Sequence, residues 1–190
     1  DVDGHIGYQA MGRIPIKEDW GRGYRPGWDP DHQWRTTIPF DAMPRMEDPE
    51  QGGIRSANNR TVADDFPYPL SGVWSSGHRA RRIRNMIEEK DKLSRADIAR
   101  MQQDVLSLRA VDAVPGLLRL LDGVTDARVV RAVGYLESWD RRMEPDSGGA
   151  SIFELFFPRW LDEVAAERFE GDASPLLAGA MSGLATQLLS

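Results

Sequence analysis

An asparagine pair in the first third of the chain is the residue set most suited to chemistry. The stretch Gly53–Arg60 has the composition of a strand that runs into a turn, and it contains Asn58 and Asn59. An asparagine amide at such a strand end can donate a hydrogen bond to a developing oxyanion. Asparagine pairs are also typical of ordinary turns, because asparagine tolerates left-handed backbone and hydrogen-bonds to its own backbone. The pair alone leaves both interpretations open.

A cluster of arginines is the second such feature. Four of them open a predicted helix, namely Arg79, Arg81, Arg82 and Arg84. Positive charge at a helix start opposes the helix dipole and needs compensation. The cluster could serve as an RNA- or phosphate-binding patch, but Glu88, Glu89 and Asp91 follow within two turns. We therefore predict a salt-bridged amphipathic helix.

The composition narrows the function classes. The 190 residues include 24 basic and 30 acidic side chains, and the net charge of -6 argues against general nucleic-acid binding. The absence of cysteine excludes disulfides, thiol catalysis and cysteine-based zinc sites. His5, His32 and His78 lack metal-ligand spacing. No apolar run approaches the ~20 residues of a membrane span.

The first third of the chain has strand signals separated by long loops. Apolar residues alternate at 6–10 with the period of a half-buried strand, and 53–58 are predicted to form another strand. Residues 17–50 are crowded with Pro, Gly, Asp and Trp, a loop composition. The tryptophans of this loop are expected to cover a core or to line a substrate pocket: Trp20, Trp28 and Trp34.

After about Ser75 the apolar residues follow helical spacing. Ser94 and Asp97 predict a capping box, and Pro115 and Pro158 are expected to separate or bend helices. We assign the apolar stripes to the core. The stripes are Ile98, Met101, Val105 and Leu108; Leu117, Leu118 and Leu121; Val129, Val130, Val133 and Leu136; Ile152, Phe153, Phe156, Trp160 and Val164; and Leu176, Leu177, Met181 and Leu184.

Short motifs spread along the chain carry a family resemblance. They are Gly7-Tyr8-Gln9-Ala10, Gly12-Arg13-Ile14-Pro15-Ile16, Pro26-Gly27-Trp28-Asp29, Ile38-Pro39-Phe40, Pro44-Arg45, Ser56-Ala57-Asn58-Asn59-Arg60, Asp64-Asp65-Phe66-Pro67-Tyr68, His78-Arg79-Ala80-Arg81-Arg82-Ile83, Trp139-Asp140 and Asp146-Ser147. In this order and at these spacings they resemble the β chain of the penicillin acylase (penicillin amidase) family of N-terminal-nucleophile hydrolases. The resemblance runs from about Gly4 to about Phe157.

The resemblance implies an α+β fold, part of an αββα sandwich. Residues 1–75 are expected to form its strand and loop part and residues 76–190 its helical part. Asp1–His5 has the composition of a turn between strands, and 178–190 is an apolar stretch without a cap. We therefore expect an internal segment of a longer polypeptide.

The resemblance also implies the chemistry. In the family the nucleophile is the first residue of the β chain, usually Ser, and its own α-amino group is the general base. Residue 1 here is Asp, so the nucleophile is expected outside this segment. Asn58 matches the family's oxyanion-hole asparagine, and Arg79 matches the arginine that organises the active site. The alternative interpretation of Arg79 is a structural ion pair with Asp64 or Asp65.

A cofactor is not expected for catalysis. Some members of the family hold a structural calcium through a carboxylate downstream of the asparagine pair. The matching position in this chain falls near Tyr68-Pro69, so that carboxylate is missing here. Asp64 and Asp65 are the candidate replacements, because calcium accepts carboxylates in loose geometry. Paired or solvated loop acids are the alternative interpretation.

The parent is thus expected to be a periplasmic or secreted amide hydrolase for a small acyl-amide substrate of penicillin, acyl-homoserine lactone or lipopeptide type. Its partners would be the remainder of the β chain and the α chain of the same processed precursor. The alternatives are a non-catalytic structural or binding member of the same fold and a free-standing helical interaction domain.

Overall fold

The computed structural model describes residues 1–17, 24–71, 74–171 and 173–190. Within these residues the chain forms two compact units, Asp1–Ser75 and Ser76–Ser190. The first unit consists mainly of loops around a small sheet, and the second unit is helical. Strands and loops therefore precede helices, which is the α+β arrangement that the sequence predicts.

The sheet of the first unit has two short antiparallel strands, β1 (Gly7–Gln9) and β2 (Arg45–Glu47). They pair Gly7 with Glu47, Tyr8 with Met46 and Gln9 with Arg45. The segment that follows β1 also pairs with the segment that precedes β2, because backbone hydrogen bonds of 2.9 Å join residues 14–16 to 36–38. The strand predicted at 6–10 is confirmed, because the alternating pattern there falls on β1.

The strand predicted at 53–58 is wrong. These residues form an irregular segment with bends at 57–59. The side-chain oxygen of Asn59 accepts the N–H of Ala57 at 2.9 Å. A side chain that hydrogen-bonds to the nearby backbone competes with strand pairing, and here it turns the chain instead.

The core-covering interpretation of the loop tryptophans is wrong where the structure describes them, and the lining of a substrate pocket stays a prediction. Trp28 is 88% exposed and Trp34 is 69% exposed. Neither ring covers a core within the described residues. Trp20 lies outside the described residues.

The second unit contains seven helices in its described residues. They are α1 (His78–Glu88), α2 (Arg95–Gln102), α3 (Leu108–Leu120), α4 (Ala127–Ser138), α5 (Gly148–Ala166), α6 (Ala173–Leu177) and α7 (Ser182–Gln187). The predicted capping box is confirmed, since Ser94 and Asp97 satisfy each other's backbone N–H groups at the start of α2. Ser107, Asp126 and Ser147 cap the next three helices.

The helix boundaries differ from the prediction at three places. The stripe expected to reach Leu108 stops with α2 at Gln102, because Ser107 caps a new helix after an extended connection. Conversely, α3 continues through Pro115, and α5 is not interrupted at Pro158. A bend of α5 at Pro158 stays a prediction. Each proline removes one backbone hydrogen bond, and the buried residues on both sides of it keep the helix packed.

The core of the second unit joins α3, α4, α5 and the C-terminal helix. Three aromatic rings pack together in it: the ring centroids of Trp139 and Phe153 lie 5.7 Å apart, and those of Phe153 and Phe157 lie 5.5 Å apart. The buried members are Ala110, Ala113, Val114, Leu117, Leu136, Trp139, Ala150, Phe153, Phe157, Val164, Ala185 and Leu189. The apolar stripes that we assigned to the core supply four of these side chains, Leu117, Leu136, Phe153 and Val164, and seven partly buried ones that pack against them. The assignment is wrong for Ile98 and Val130, which are exposed.

Gly116 allows α3 to contact the backbone near the end of the chain. A Cβ at Gly116 would lie 1.5 Å from the carbonyl oxygen of Leu189. Gly116→Ala is therefore expected to cost about 2 kcal/mol or more by overpacking. Gly134→Ala is the matched control, because no atom lies within 4 Å of its Cβ position in α4. The control should gain roughly 0.5–1 kcal/mol from helix propensity.

Denaturant titration followed by circular dichroism gives both values. Equal effects of the two alanines would show that α3 does not pack against Leu189 as described.

Candidate functional site

Asn58 lies at the tip of an exposed turn in the first unit. Its φ of 62° is left-handed, a conformation that asparagine adopts more readily than most residues. Its carbonyl oxygen accepts the N–H of Ser75 at 2.8 Å. The hydrogen bond between Asn58 and Ser75 thus holds the turn in place.

Asn59 has a different structural task from its neighbour. The residue is half-buried, and its side-chain oxygen accepts the N–H of Ala57 at 2.9 Å. Its side-chain nitrogen donates to the carbonyl oxygen of Arg60 at 3.0 Å. Both ends of the Asn59 amide are therefore used to shape the turn, and the exposed member of the pair is Asn58.

The two candidate metal ligands lie just after this turn. Asp64 forms an ion pair with Arg60, whose guanidinium also donates to the carbonyl oxygen of Ala63 at 2.9 Å. Both Asp64 and Asp65 are exposed. Among the described residues no group of three or more His, Cys, Asp or Glu side chains could hold a metal ion. The pairing of Asp64 with Arg60 fits the alternative interpretation, in which the loop acids are paired or solvated. A calcium role for either acid stays a prediction.

Arg79 is the second residue of α1 in the second unit, and it is exposed. The helix begins after Gly77, whose φ is 38°, and no side chain caps it. Its first turn contains no acidic residue. The compensation that four arginines require at this helix start therefore comes from outside its first turn.

Asp112 of α3 supplies part of this compensation. Its carboxylate accepts a hydrogen bond from Arg81 and lies 3.4 Å from Nε2 of His78. Arg81 also reaches the carbonyl oxygen of Leu108 at 3.5 Å. One carboxylate thus contacts the residues on both sides of Arg79 in the sequence.

Asp104 supplies the other part. Arg82 donates from Nε and Nη2 to the two oxygens of Asp104 at 2.7 and 2.9 Å, a bidentate pair. These hydrogen bonds hold the pKa of Asp104 below its usual value. The predicted pairing with the acids that follow α1 is present but weaker, since Arg82 lies 3.8 Å from Glu89.

His78 and Ser76 connect the start of α1 to the interior. The Oγ of Ser76 lies 2.8 Å from Nδ1 of His78. Arg109 donates to the same hydroxyl at 3.4 Å, and its guanidinium lies 4.8 Å from the ring centre of Phe157. Burial, together with the charge of Arg109, lowers the pKa of His78, while Asp112 acts in the opposite direction.

A pocket of about 370 Å³ lies beside this network. Three guanidiniums line it, those of Arg82, Arg100 and Arg142. Each pairs with a carboxylate of the chain, at 2.7 Å to Asp104, 2.8 Å to Asp97 and 3.5 Å to Glu144 respectively. The pocket is therefore lined by internal ion pairs, as expected for a structural network.

Sequence reasoning missed Asp104, Asp112 and the Ser76–His78 contact. A signal for Asp112 was available: it is an acidic residue inside a helix whose neighbours Ala110, Ala113 and Val114 are fully buried. An acid in such a stripe needs a basic partner. The arginines at the start of α1 were the available basic partners.

The comparisons with known proteins agree with these observations. The family model described as penicillin amidase matches residues 1–189. The chain therefore belongs to the penicillin amidase family. A solved thermostable penicillin G acylase from Alcaligenes faecalis has the same fold, with a TM-score of 0.62 and 21% identity over 93% of this chain and 33% of that one.

Curated relatives are similar over most of this chain. Penicillin acylase 2 proenzyme of Pseudomonas sp. (strain SE83) is 36% identical over 163 residues, 82% of this chain and 20% of that protein. Acyl-homoserine lactone acylase QuiP of Pseudomonas aeruginosa is 30% identical over 185 residues, 90% of this chain and 21% of that protein. The chain thus spans about a fifth of the length of these relatives. In its described part no helix is long and apolar enough to cross a membrane.

The Arg82–Asp104 pair predicts an acid-dependent stability. The pKa of Asp104 is lower in the folded than in the unfolded chain, whose ordinary value is 3.8. The pair therefore stabilises the fold at pH values above 3.8. That contribution is lost as the pH falls through the folded-state pKa. Asp104→Asn should cost roughly 3 kcal/mol at neutral pH, and its difference from wild type should shrink at acidic pH.

Asp31→Asn is the control, because Asp31 pairs with Arg35 at the surface, where both side chains are more than half exposed. It should cost less than about 1 kcal/mol. Unfolding curves at a series of pH values measure both differences. A difference for Asp104→Asn that does not change with pH would refute the assignment of the carboxylate.

Proposed function

We propose that the chain is part of an amide hydrolase that removes an acyl side chain from an amine through an acyl-enzyme. Membership of the penicillin amidase family supports this proposal, as do relatives whose names give penicillin and acyl-homoserine lactones as substrates. The nucleophile is a serine that lies outside these 190 residues and uses its own α-amino group as general base. Residue 1 of this chain is Asp, which lacks the hydroxyl of that nucleophile.

Asn58 is the residue that we assign to the oxyanion hole, and its geometry is the observation that carries the proposal. The side chain is exposed at the tip of a left-handed turn. The turn is held by the hydrogen bond from Ser75 and by both ends of the Asn59 amide. An amide carried on a turn that other residues fix is suited to donate to an oxyanion without reorganisation.

Arg79 is assigned to active-site organisation. A guanidinium suits this role because it stays charged and holds several donors in one plane. Asn58 belongs to the strand and loop part, residues 1–75, and Arg79 belongs to the helical part, residues 76–190. Both parts belong to the β chain of the acylase.

The substrate is a small acyl amide, with a linear C–N bond, of penicillin, acyl-homoserine lactone or lipopeptide type. The rest of the β chain and the α chain of the same precursor complete the acyl pocket, and the enzyme acts in the periplasm or outside the cell. Catalysis needs no cofactor. A structural calcium bound near Asp64 or Asp65 remains a separate proposal, tested by calcium titration of unfolding.

The proposal predicts activity in the processed parent protein and none in this chain alone. Without the nucleophile, an oxyanion hole has no tetrahedral adduct to stabilise. Release of amine from phenylacetyl and long-chain acyl amides is the measurement for both samples. Amide hydrolysis by the purified chain would locate the nucleophile here. A processed parent that is folded but inactive would favour the non-catalytic, structural or binding alternative.

The oxyanion role is tested by Asn58→Ala in the processed parent. We expect kcat to fall by roughly 10²–10³ with substrate binding near normal, since the hole acts mainly on the transition state. Asn58→Gly is made in parallel, because glycine keeps the left-handed backbone and removes only the amide. Equal losses of kcat in both variants assign the effect to the amide. A loss confined to the alanine variant would instead indicate backbone strain.

Asn59→Ala is the internal control. Both ends of the Asn59 amide hydrogen-bond to the backbone of the turn. Loss of this amide should therefore lower the free energy of unfolding and leave kcat of the folded enzyme largely unchanged. Precursor cleavage is checked first by mass spectrometry, and only processed enzyme is assayed. If Asn59→Ala loses kcat while Asn58→Ala keeps it, the assignment is wrong by one residue.

A further inference from the structure

Asp112 holds the turn of helix from which Arg79 projects, and we propose that it is a positioning residue for the hydrolase. It acts through Arg79 and does not touch the substrate. The inference rests on the function proposed above for Arg79, and it adds a residue from α3 to that function. The supporting observations all lie within the second unit.

The geometry of the first turn is the first argument. Residues three apart share one face of a helix, so His78 and Arg81 present neighbouring side chains to α3. Asp112 accepts a hydrogen bond from Arg81 and lies 3.4 Å from Nε2 of His78. Arg79 follows His78 by one position and therefore projects about 100° around the axis. Fixing the face of His78 and Arg81 fixes the direction in which Arg79 leaves the helix.

The lack of a local cap is the second argument. The residue before α1 is Gly77, in left-handed conformation and without a capping side chain, and the first turn has no acidic residue. Uncapped helix ends fray readily. Contacts with α3 must therefore define this turn, and Asp112 makes contacts on both sides of Arg79.

The charges around Asp112 are the third argument. His78 and Arg81 face it, and the charge of Asp112 opposes the lowering of the His78 pKa by burial, Arg109 and Arg81. Without the carboxylate, these basic groups would meet at the positive end of α1 with less compensation. Removing the Asp112 charge is thus expected to displace the first turn of α1 and leave α3 in its core contacts.

The test is a double-mutant cycle on the processed parent protein. Its variants are Arg79→Ala, Asp112→Asn and the two combined. Asp112→Asn is expected to lower kcat about tenfold with little change in KM, because it misplaces a group that acts on the transition state. In the Arg79→Ala background the same change should lower kcat less than twofold, since there is no arginine left to misplace.

Two further variants complete the design. Asp122→Asn is the matched control, an exposed acid just after α3, and it should leave kcat unchanged. Asp112→Glu keeps the charge and should retain part of the activity. If Asp112→Asn does not fold, the cycle is run with Asp112→Glu instead. Unfolding is measured on every variant at the assay temperature.

The outcomes separate this inference from the proposed function. If Arg79→Ala keeps its kcat, the proposed role of Arg79 fails and the positioning role falls with it. If Arg79→Ala loses kcat but the effect of Asp112→Asn is absent, or is the same in both backgrounds, only the positioning role is overturned. If Asp112 is purely structural, Asp112→Asn lowers kcat equally in both backgrounds, because loss of folded enzyme lowers the rate with or without Arg79.

Discussion

The pairing of an arginine-rich helix start with carboxylates from outside the helix is the interaction on which the second unit depends. Helix α1 places its arginines at its own positive end and has neither a cap nor an acid in its first turn. Asp112 and Asp104 accept hydrogen bonds from Arg81 and Arg82. A charged helix end that is unfavourable in isolation thereby becomes the surface that docks on α3.

The same pairs connect α1 to the rest of the helical unit. Asp104 lies in the connection between α2 and α3, where Arg142 also approaches it at 3.8 Å. That connection pairs with the chain before α5, since the N–H of Met143 donates to the carbonyl of Val105 at 2.9 Å. The ion pairs therefore sit where three parts of the unit meet, and the apolar core of α3, α4 and α5 continues behind them.

The sequence predicted those features that depend on neighbouring residues. The alternation at 6–10 and the capping box of Ser94 follow from local spacing, and the structure has them. The helical stripes also follow from local spacing, and the structure has them in part. The errors come from tertiary contacts or from side chains that compete with the backbone. Pro115 stays inside α3 because the helix is packed on both sides of it, and 53–58 is not a strand because Asn59 binds the adjacent backbone.

The two candidate site residues differ in the same way, and this difference decides how far a motif can be transferred. The turn at Asn58 is shaped by Ala57, Asn59 and Arg60, so a short match to a family pattern carries its geometry along. The placement of Arg79 depends on Asp112, which lies 33 positions later in the chain. A match around Arg79 alone would transfer the guanidinium without the group that orients it. An arginine in this position is therefore informative only together with an acid on α3 that contacts His78 and Arg81.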